Sequence, residues 1–111
     1  MGCDSRYLCD FNIAGMRYWD GATVLGKLKP GKRLRLVAEP QNPYDHDAVA
    51  LYRKDVKLGY VPKAQNSLIA QMIRFGHEDV FECRVIAVDG GAEAWNQVRV
   101  GIYVTDKGPR D

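Results

Sequence analysis

Two short clusters in this sequence hold the residue types that could grip a ligand. The first is Met16-Arg17-Tyr18-Trp19-Asp20-Gly21, two adjacent aromatic rings beside a guanidinium. The second is Glu39-Pro40-Gln41-Asn42-Pro43-Tyr44-Asp45-His46-Asp47-Ala48, where Asn, Tyr and Asp sit between stiff prolines. Pro43 fixes its own φ and biases Asn42 toward extended backbone, so this loop is partly pre-set. Flat rings stack bases, amides and carboxylates take hydrogen bonds, and a guanidinium holds phosphate; these are the parts that bind an unpaired strand. Each residue alone also has a structural use, the aromatics in a core and Asn42 or Asp45 in turns. The combination of the two clusters is what points to nucleic acid.

Catalysis finds less support. His46-Asp47 and His77-Glu78 have no third ligand or nucleophile at useful spacing, so both read as solvated loops. Asp45 with Asp47 could bind Mg²⁺ as a minimal nuclease would, but metal-dependent cleavage usually draws on more acidic groups. Cys3, Cys9 and Cys83 make an odd count without a close CxxC pair, which suits neither a disulfide framework nor a zinc site. Cys9 and Cys83 are expected as reduced thiols in or near the core. No catalytic residue, metal ligand or cofactor is assigned, and the chain reads as a binding module rather than an enzyme.

The elements that must position these clusters follow from periodicity. Residues 7–14 place Tyr7, Cys9, Phe11 and Ile13 on alternate positions of a half-buried strand that Gly15 ends. A short helical turn fits residues 23–28, and Lys29-Pro30-Gly31-Lys32 is a turn. Strands are expected at 33–38, with Leu34 and Leu36 inward, at 48–53, and at 56–61 as a hairpin partner. Pro62 opens a helix over residues 62–75, with Leu68, Ile69, Met72, Ile73 and Phe75 as its core stripe and Gly76 as its stop. Further strands fit 81–88 and 95–104, joined through Asp89-Gly90-Gly91, with Trp95 packed at the start of the last. The tail from 105 is expected to fray. Six short strands and one helix make a mainly β chain. A small OB-like antiparallel β-barrel manages the exposed edges of such a set.

The 111 residues suit one domain with an ordered core over about 7–104, and a hydrophobic fraction of 46% excludes wholesale disorder. No apolar run approaches a membrane span. The N-terminus lacks a secretory stretch, and Arg6 breaks the myristoylation pattern. The expectation is a cytoplasmic protein without membrane contact. A net charge of +2 is too small to signal nucleic acid by itself, so phosphate-binding groups must be gathered locally. Arg33, Arg35, Arg84 and Arg99 lie along strands, as an exposed face or as a groove extending a strand's path.

The segments Phe11-Asn12-Ile13-Ala14-Gly15-Met16-Arg17-Tyr18-Trp19-Asp20-Gly21, Leu36-Val37-Ala38-Glu39-Pro40, Asn42-Pro43-Tyr44-Asp45, Asp47-Ala48-Val49-Ala50 and Leu58-Gly59-Tyr60-Val61-Pro62-Lys63 closely resemble a HIRAN domain in order and spacing. The resemblance implies an OB-like barrel that captures single-stranded DNA at its 3′-hydroxyl end, in DNA repair or replication-fork processing. With no motor attached, the chain looks like the free-standing kind found in bacteria and phages. By the same resemblance Tyr18 and Tyr44 pack against terminal nucleotides, and Asp45 accepts a hydrogen bond from the 3′-hydroxyl. Arg17 and Lys63 hold backbone phosphate, and Asn42 makes a polar contact. Tyr60 occupies the position where well-described eukaryotic members carry a histidine; a phenol can stack and donate one hydrogen bond but cannot become cationic. A helicase or nuclease is the protein partner such a monomeric module would serve. The alternative is a protein-interaction module that recruits a partner through its barrel, with exposed Trp19 and the basic strand faces available to either use.

Overall fold

The computed structural model describes residues 5–105. They form six strands, β1 (Ser5–Asn12), β2 (Arg33–Ala38), β3 (Val49–Arg53), β4 (Val56–Tyr60), β5 (Phe81–Val88) and β6 (Val98–Thr105). One α-helix, α1 (Lys63–Arg74), follows β4, and 3-10 turns at Met16–Tyr18, Asp20–Lys27, Glu78–Val80 and Ala94–Asn96 occupy connections. Among the described residues no helix is long and apolar enough to cross a membrane. Cys3 and residues 106–111, most of the tail expected to fray, lie outside the described residues.

All pairings are antiparallel, in the order β1-β6-β5-β2-β3-β4. Strand β2 joins the two halves, because Arg33 and Leu34 pair with β5 while Arg35 to Ala38 pair with β3. The outer strands β1 and β4 meet just past the end of β1, where Ala14 and Tyr60 exchange two backbone hydrogen bonds of 2.9 and 2.8 Å. The OB-like barrel expected from strand number is therefore present, and one bridge takes the place of a closing ladder. Gly59 permits that approach: it sits at φ +155°, and a Cβ there would overlap the Ala14 carbonyl oxygen and come within 2.7 Å of Ile13 Cγ2. Phe11, Ile13, Leu51, Leu58, Val85, Val100 and Ile102 fill the interior, and Ile69 and Ala70 of α1 join the same core.

Four expectations need correction. Tyr7 is exposed rather than inward, because the register with β6 shifts between Tyr7 and Cys9; one extra residue reverses the facing of everything before it. Pro62 is the residue capping α1, with extended backbone at ψ 149°, not its first helical residue. The buried stripe of α1 is Asn66, Ile69 and Ala70, with Ile73 packed against the core, whereas Leu68 is 61% and Phe75 72% exposed. Position 68 lies about 100° around the helix from Ile69, and Phe75 falls past the last helical turn. Trp95 stands in a 3-10 turn ahead of β6 and is exposed, since pairing with β5 begins only at Val98. The stop at Gly76 is as expected: at φ +88° it donates to Ile73 O, and His77 N–H reaches Met72 O, the two-bond Schellman closure.

Candidate nucleic-acid interface

The Ala14–Tyr60 bridge places three segments around one depression. The turn Met16–Tyr18 leaves the bridge on one side, with Met16 buried as its anchor and Arg17 and Tyr18 turned outward. The loop between β2 and β3 stands opposite, and the start of α1 completes the wall. Together they enclose an open cleft of about 1170 Å³. That exceeds the roughly 300–1,000 Å³ of ordinary small-molecule sites. Tyr18, Asn42, Tyr44, Asp45, Tyr60 and Lys63 all line it. Arg17 is outside the lining; its guanidinium lies 5.2 Å from the centre of the Tyr18 ring. Tyr18 is 73% and Tyr44 89% exposed, so neither ring serves the core.

The β2–β3 loop is built by its own side chains. Asn42 Oδ1 accepts the backbone N–H groups of Tyr44 at 2.8 Å and Asp45 at 3.2 Å, and its Nδ2 donates to Glu39 Oε1 at 3.1 Å. Asn42 thus shapes the loop and keeps one amide hydrogen for a ligand. Asp45 Oδ1 accepts the Asp47 backbone N–H at 2.9 Å, and Oδ2 accepts Asn66 Nδ2 at 2.8 Å. These two bonds, helped by the charges of Lys63 and His46, hold the Asp45 carboxyl below its usual range. It is an ionised acceptor at neutral pH, with lone pairs left on both oxygens.

Across the cleft a second network fixes Tyr60. Its hydroxyl donates to Glu39 Oε1 at 2.9 Å and accepts from Lys57 Nζ at 2.7 Å, while Lys57 pairs with Glu39 Oε2 at 2.6 Å. The Lys57 ammonium also lies 4.0 Å from the Trp19 ring centre and 4.6 Å from that of Tyr60. Trp19 and Tyr60 meet edge to face at 6.1 Å. The phenol hydrogen is therefore already committed, and Tyr60 offers a ligand its ring. Burial opposes charge on Glu39 and on Lys57, but their mutual bonds and those of Tyr60 and Asn42 outweigh it, so Glu39 shifts down and Lys57 up.

Trp19 and Glu39, members of the two clusters, also line the cleft, and so do Lys57 and Asn66, which the sequence reading did not single out. Lys57 carries no local signal, since one lysine in a hairpin strand looks like a solvated face. Asn66 carries none either, because the stripe read from the sequence ran through Leu68, Ile69, Met72, Ile73 and Phe75, and it is packing on the sheet that buries position 66. The strand arginines form a largely paired face: Arg33 and Arg84 pair with Glu82, Arg99 with Asp10, and Arg35 reaches Lys54 O and the Tyr52 ring. His46 and His77 are both exposed. Cys83 is buried, which pushes its thiol well up, and Cys9 is half-buried against the core; neither is in a disulfide. Among the described residues no three His, Cys, Asp or Glu side chains gather as metal ligands.

Lowered carboxyls give the fold an acid limit. Asp10 is held down chiefly by the Tyr7 hydroxyl and Arg99, and Glu39 and Asp45 by the partners above. Each is more acidic folded than unfolded, so its stabilisation is complete above the unfolded value and disappears as pH falls through the folded one. The melting temperature should be level from neutrality to about pH 5 and decline below about pH 4, where free carboxyls protonate. A melting series by circular dichroism checks this; an unchanged melting temperature at about pH 3 would show these contacts to be idle.

No curated protein matches the chain. Among solved structures, a protein from Lactobacillus plantarum aligns with a TM-score of 0.78 at 23% identity, covering 95% of this chain and 99% of that one. The HIRAN domain of human HLTF aligns with a TM-score of 0.65 at 18% identity, covering 94% of this chain and 77% of that one. At such identities the likeness is one of fold. A family model for the HIRAN domain matches residues 7–105, which takes in every strand and loop that builds the cleft. The chain belongs to the HIRAN domain family, whose members are known in general as DNA-binding modules.

Proposed function

We propose that the cleft captures the 3′-hydroxyl end of a single DNA strand, as a monomeric module for repair or replication-fork processing. The observation that carries this reading is the joint presence of two exposed tyrosine rings and one ionised carboxylate in the same cleft. The rings of Tyr18 and Tyr44 would hold bases by stacking. A carboxylate accepts hydrogen bonds only, so Asp45 favours a terminal group that can donate one. Lys63 inside the cleft and Arg17 beside Tyr18 supply charge for backbone phosphate. Asn42 keeps one free amide hydrogen for the strand, and Tyr60 contributes a ring face in place of a cation.

Fluorescence anisotropy with short strands ending in 3′-hydroxyl or 3′-phosphate, and with circular strands, tests the reading. The hydroxyl end should bind tightest, and a change at the 5′ end should have no effect. Tyr18→Ala and Tyr44→Ala should each cost about 1–3 kcal/mol of binding, the usual range for one base–aromatic contact, with melting temperature unchanged. With two to four phosphates engaged, log affinity against log salt should have a slope of about −1.5 to −3. A slope several units steeper would move the site to the strand arginines. A chain that bound none of these strands would favour the second reading, a protein-interaction module. Exposed Leu68 on α1 and Phe75 just past its end are the observation behind that alternative.

A further inference from the structure

We infer that Asn66 is a positioning residue, which aims the Asp45 carboxylate at the strand terminus and so sets the discrimination between hydroxyl and phosphate ends. This deepens the proposed function and rests on its reading of Asp45. Asn66 is 4% exposed and sits on the face of α1 that also buries Ile69 and Ala70. An apolar side chain would pack at such a position, and a buried amide is costly unless it is hydrogen-bonded. Its Nδ2 is used on Asp45 Oδ2, across 21 residues of sequence, at the wall of the cleft.

The other contacts described for Asp45 are local. Oδ1 takes the Asp47 N–H, and the Asp45 N–H goes to Asn42 Oδ1, both inside the same loop. Asn66 is the described contact that ties the carboxylate to a helix anchored in the core. With one donor on each oxygen the carboxylate plane is fixed, and the remaining lone pairs have a set direction. A loop carboxylate held at one oxygen can turn, and a turned carboxylate offers no defined seat for a hydroxyl. The ionisable groups around it are His46 and Asp47 on its own loop, Glu39 at the start of that loop through Asn42, and Lys63 on α1.

The test uses the full chain, strands with 3′-hydroxyl and 3′-phosphate ends, and variants Asn66→Ala and Asn66→Asp. Asn66→Ala should lower affinity for the hydroxyl end roughly tenfold, the loss expected when one hydrogen bond to a charged group fails. Affinity for the phosphate end should change far less, so the ratio collapses. Asn66→Asp places a second carboxyl against Asp45, and two such groups share one proton until pH rises through a lifted upper value. It should bind the hydroxyl end like the wild type at about pH 5, where the shared proton replaces the amide donor, and as weakly as Asn66→Ala at about pH 8. Taking each variant relative to the wild type at the same pH removes pH effects common to all the proteins. In the free protein, carboxyl NMR of Asp45 should show it titrating at higher pH in Asn66→Ala. A packing role alone would give neither the pH-dependent rescue nor that change. An unaltered hydroxyl-to-phosphate ratio in Asn66→Ala, or equal behaviour of both variants at both pH values, overturns the inference. Should Asn66→Ala melt below the assay temperature, Asn66→Asp, which keeps the volume, decides by its own pH profile. If the wild type does not discriminate ends, the reading of the cleft fails separately. The Asp45 titration then bears only on the hold of Asn66 on the carboxylate: a raised value in Asn66→Ala upholds that hold, and an unchanged one overturns it.

Discussion

Asp45→Ala should weaken binding to a 3′-hydroxyl strand by about 1.5–3 kcal/mol, roughly ten- to a hundredfold, while affinity for a 3′-phosphate strand stays level or rises. The size follows from loss of one hydrogen bond to a charged acceptor. The asymmetry follows from charge. Asp45 is held ionised by the Asp47 N–H and Asn66, so a terminal phosphate brings negative charge against it, and removing the carboxylate relieves that repulsion. Asp45→Asn separates the two effects. It keeps the shape, removes the charge, and should tolerate the phosphate end better than either the wild type or Asp45→Ala. Titrations of all three proteins against hydroxyl-ended, phosphate-ended and circular strands read this directly. Equal wild-type affinity for the three strands would leave a general strand binder with no end recognition.

Gly59→Ala should cost the fold about 2–6 kcal/mol, from overpacking at ~1–3 kcal/mol and a strained backbone at a similar magnitude. The added Cβ would overlap the Ala14 carbonyl oxygen, and that oxygen accepts the Tyr60 N–H at 2.8 Å in the bridge between the outer strands. The neighbour on the other side, Ile13, is fully buried, so the chain has little room to yield. Opening the bridge would also spread the cleft, because Tyr60 and the turn after Ala14 diverge from it. Melting temperature should fall on the order of 10 °C or more, and strand binding should fall with it. Gly26→Ala, where a Cβ meets nothing within 4 Å, is the control and should melt close to the wild type. A Gly59→Ala protein that melts with Gly26→Ala would mean that the bridge contributes nothing to closure.

Much of this protein is legible from the order of its residues. Alternation at 33–38 gave β2 with its observed bounds, and β5 likewise matches at 81–88. The hairpin strands differ from expectation only at their ends. Helix α1 begins after Pro62 and stops at Gly76, because a ring that fixes φ and a residue free to adopt positive φ act locally. Tyr18 and Trp19 of the first cluster and Glu39, Asn42, Tyr44 and Asp45 of the second do line one cleft.

What tertiary structure alone decided concerns contacts between distant segments. The bulge that turns Tyr7 outward depends on pairing with β6, nearly the whole chain away. The face that α1 buries was set by the sheet it packs on, which took Asn66 in and left Leu68 and Phe75 out. Tyr60 looked like a free phenol, yet its hydroxyl is fixed by Glu39, 21 residues distant, and by Lys57. Asp45 owes part of its charge and aim to Asn66, also 21 residues away. Local propensity records what a residue does to its own backbone. Which groups share a buried space is set by how the barrel closes, and that is where Lys57, Glu39 and Asn66 acquired their roles.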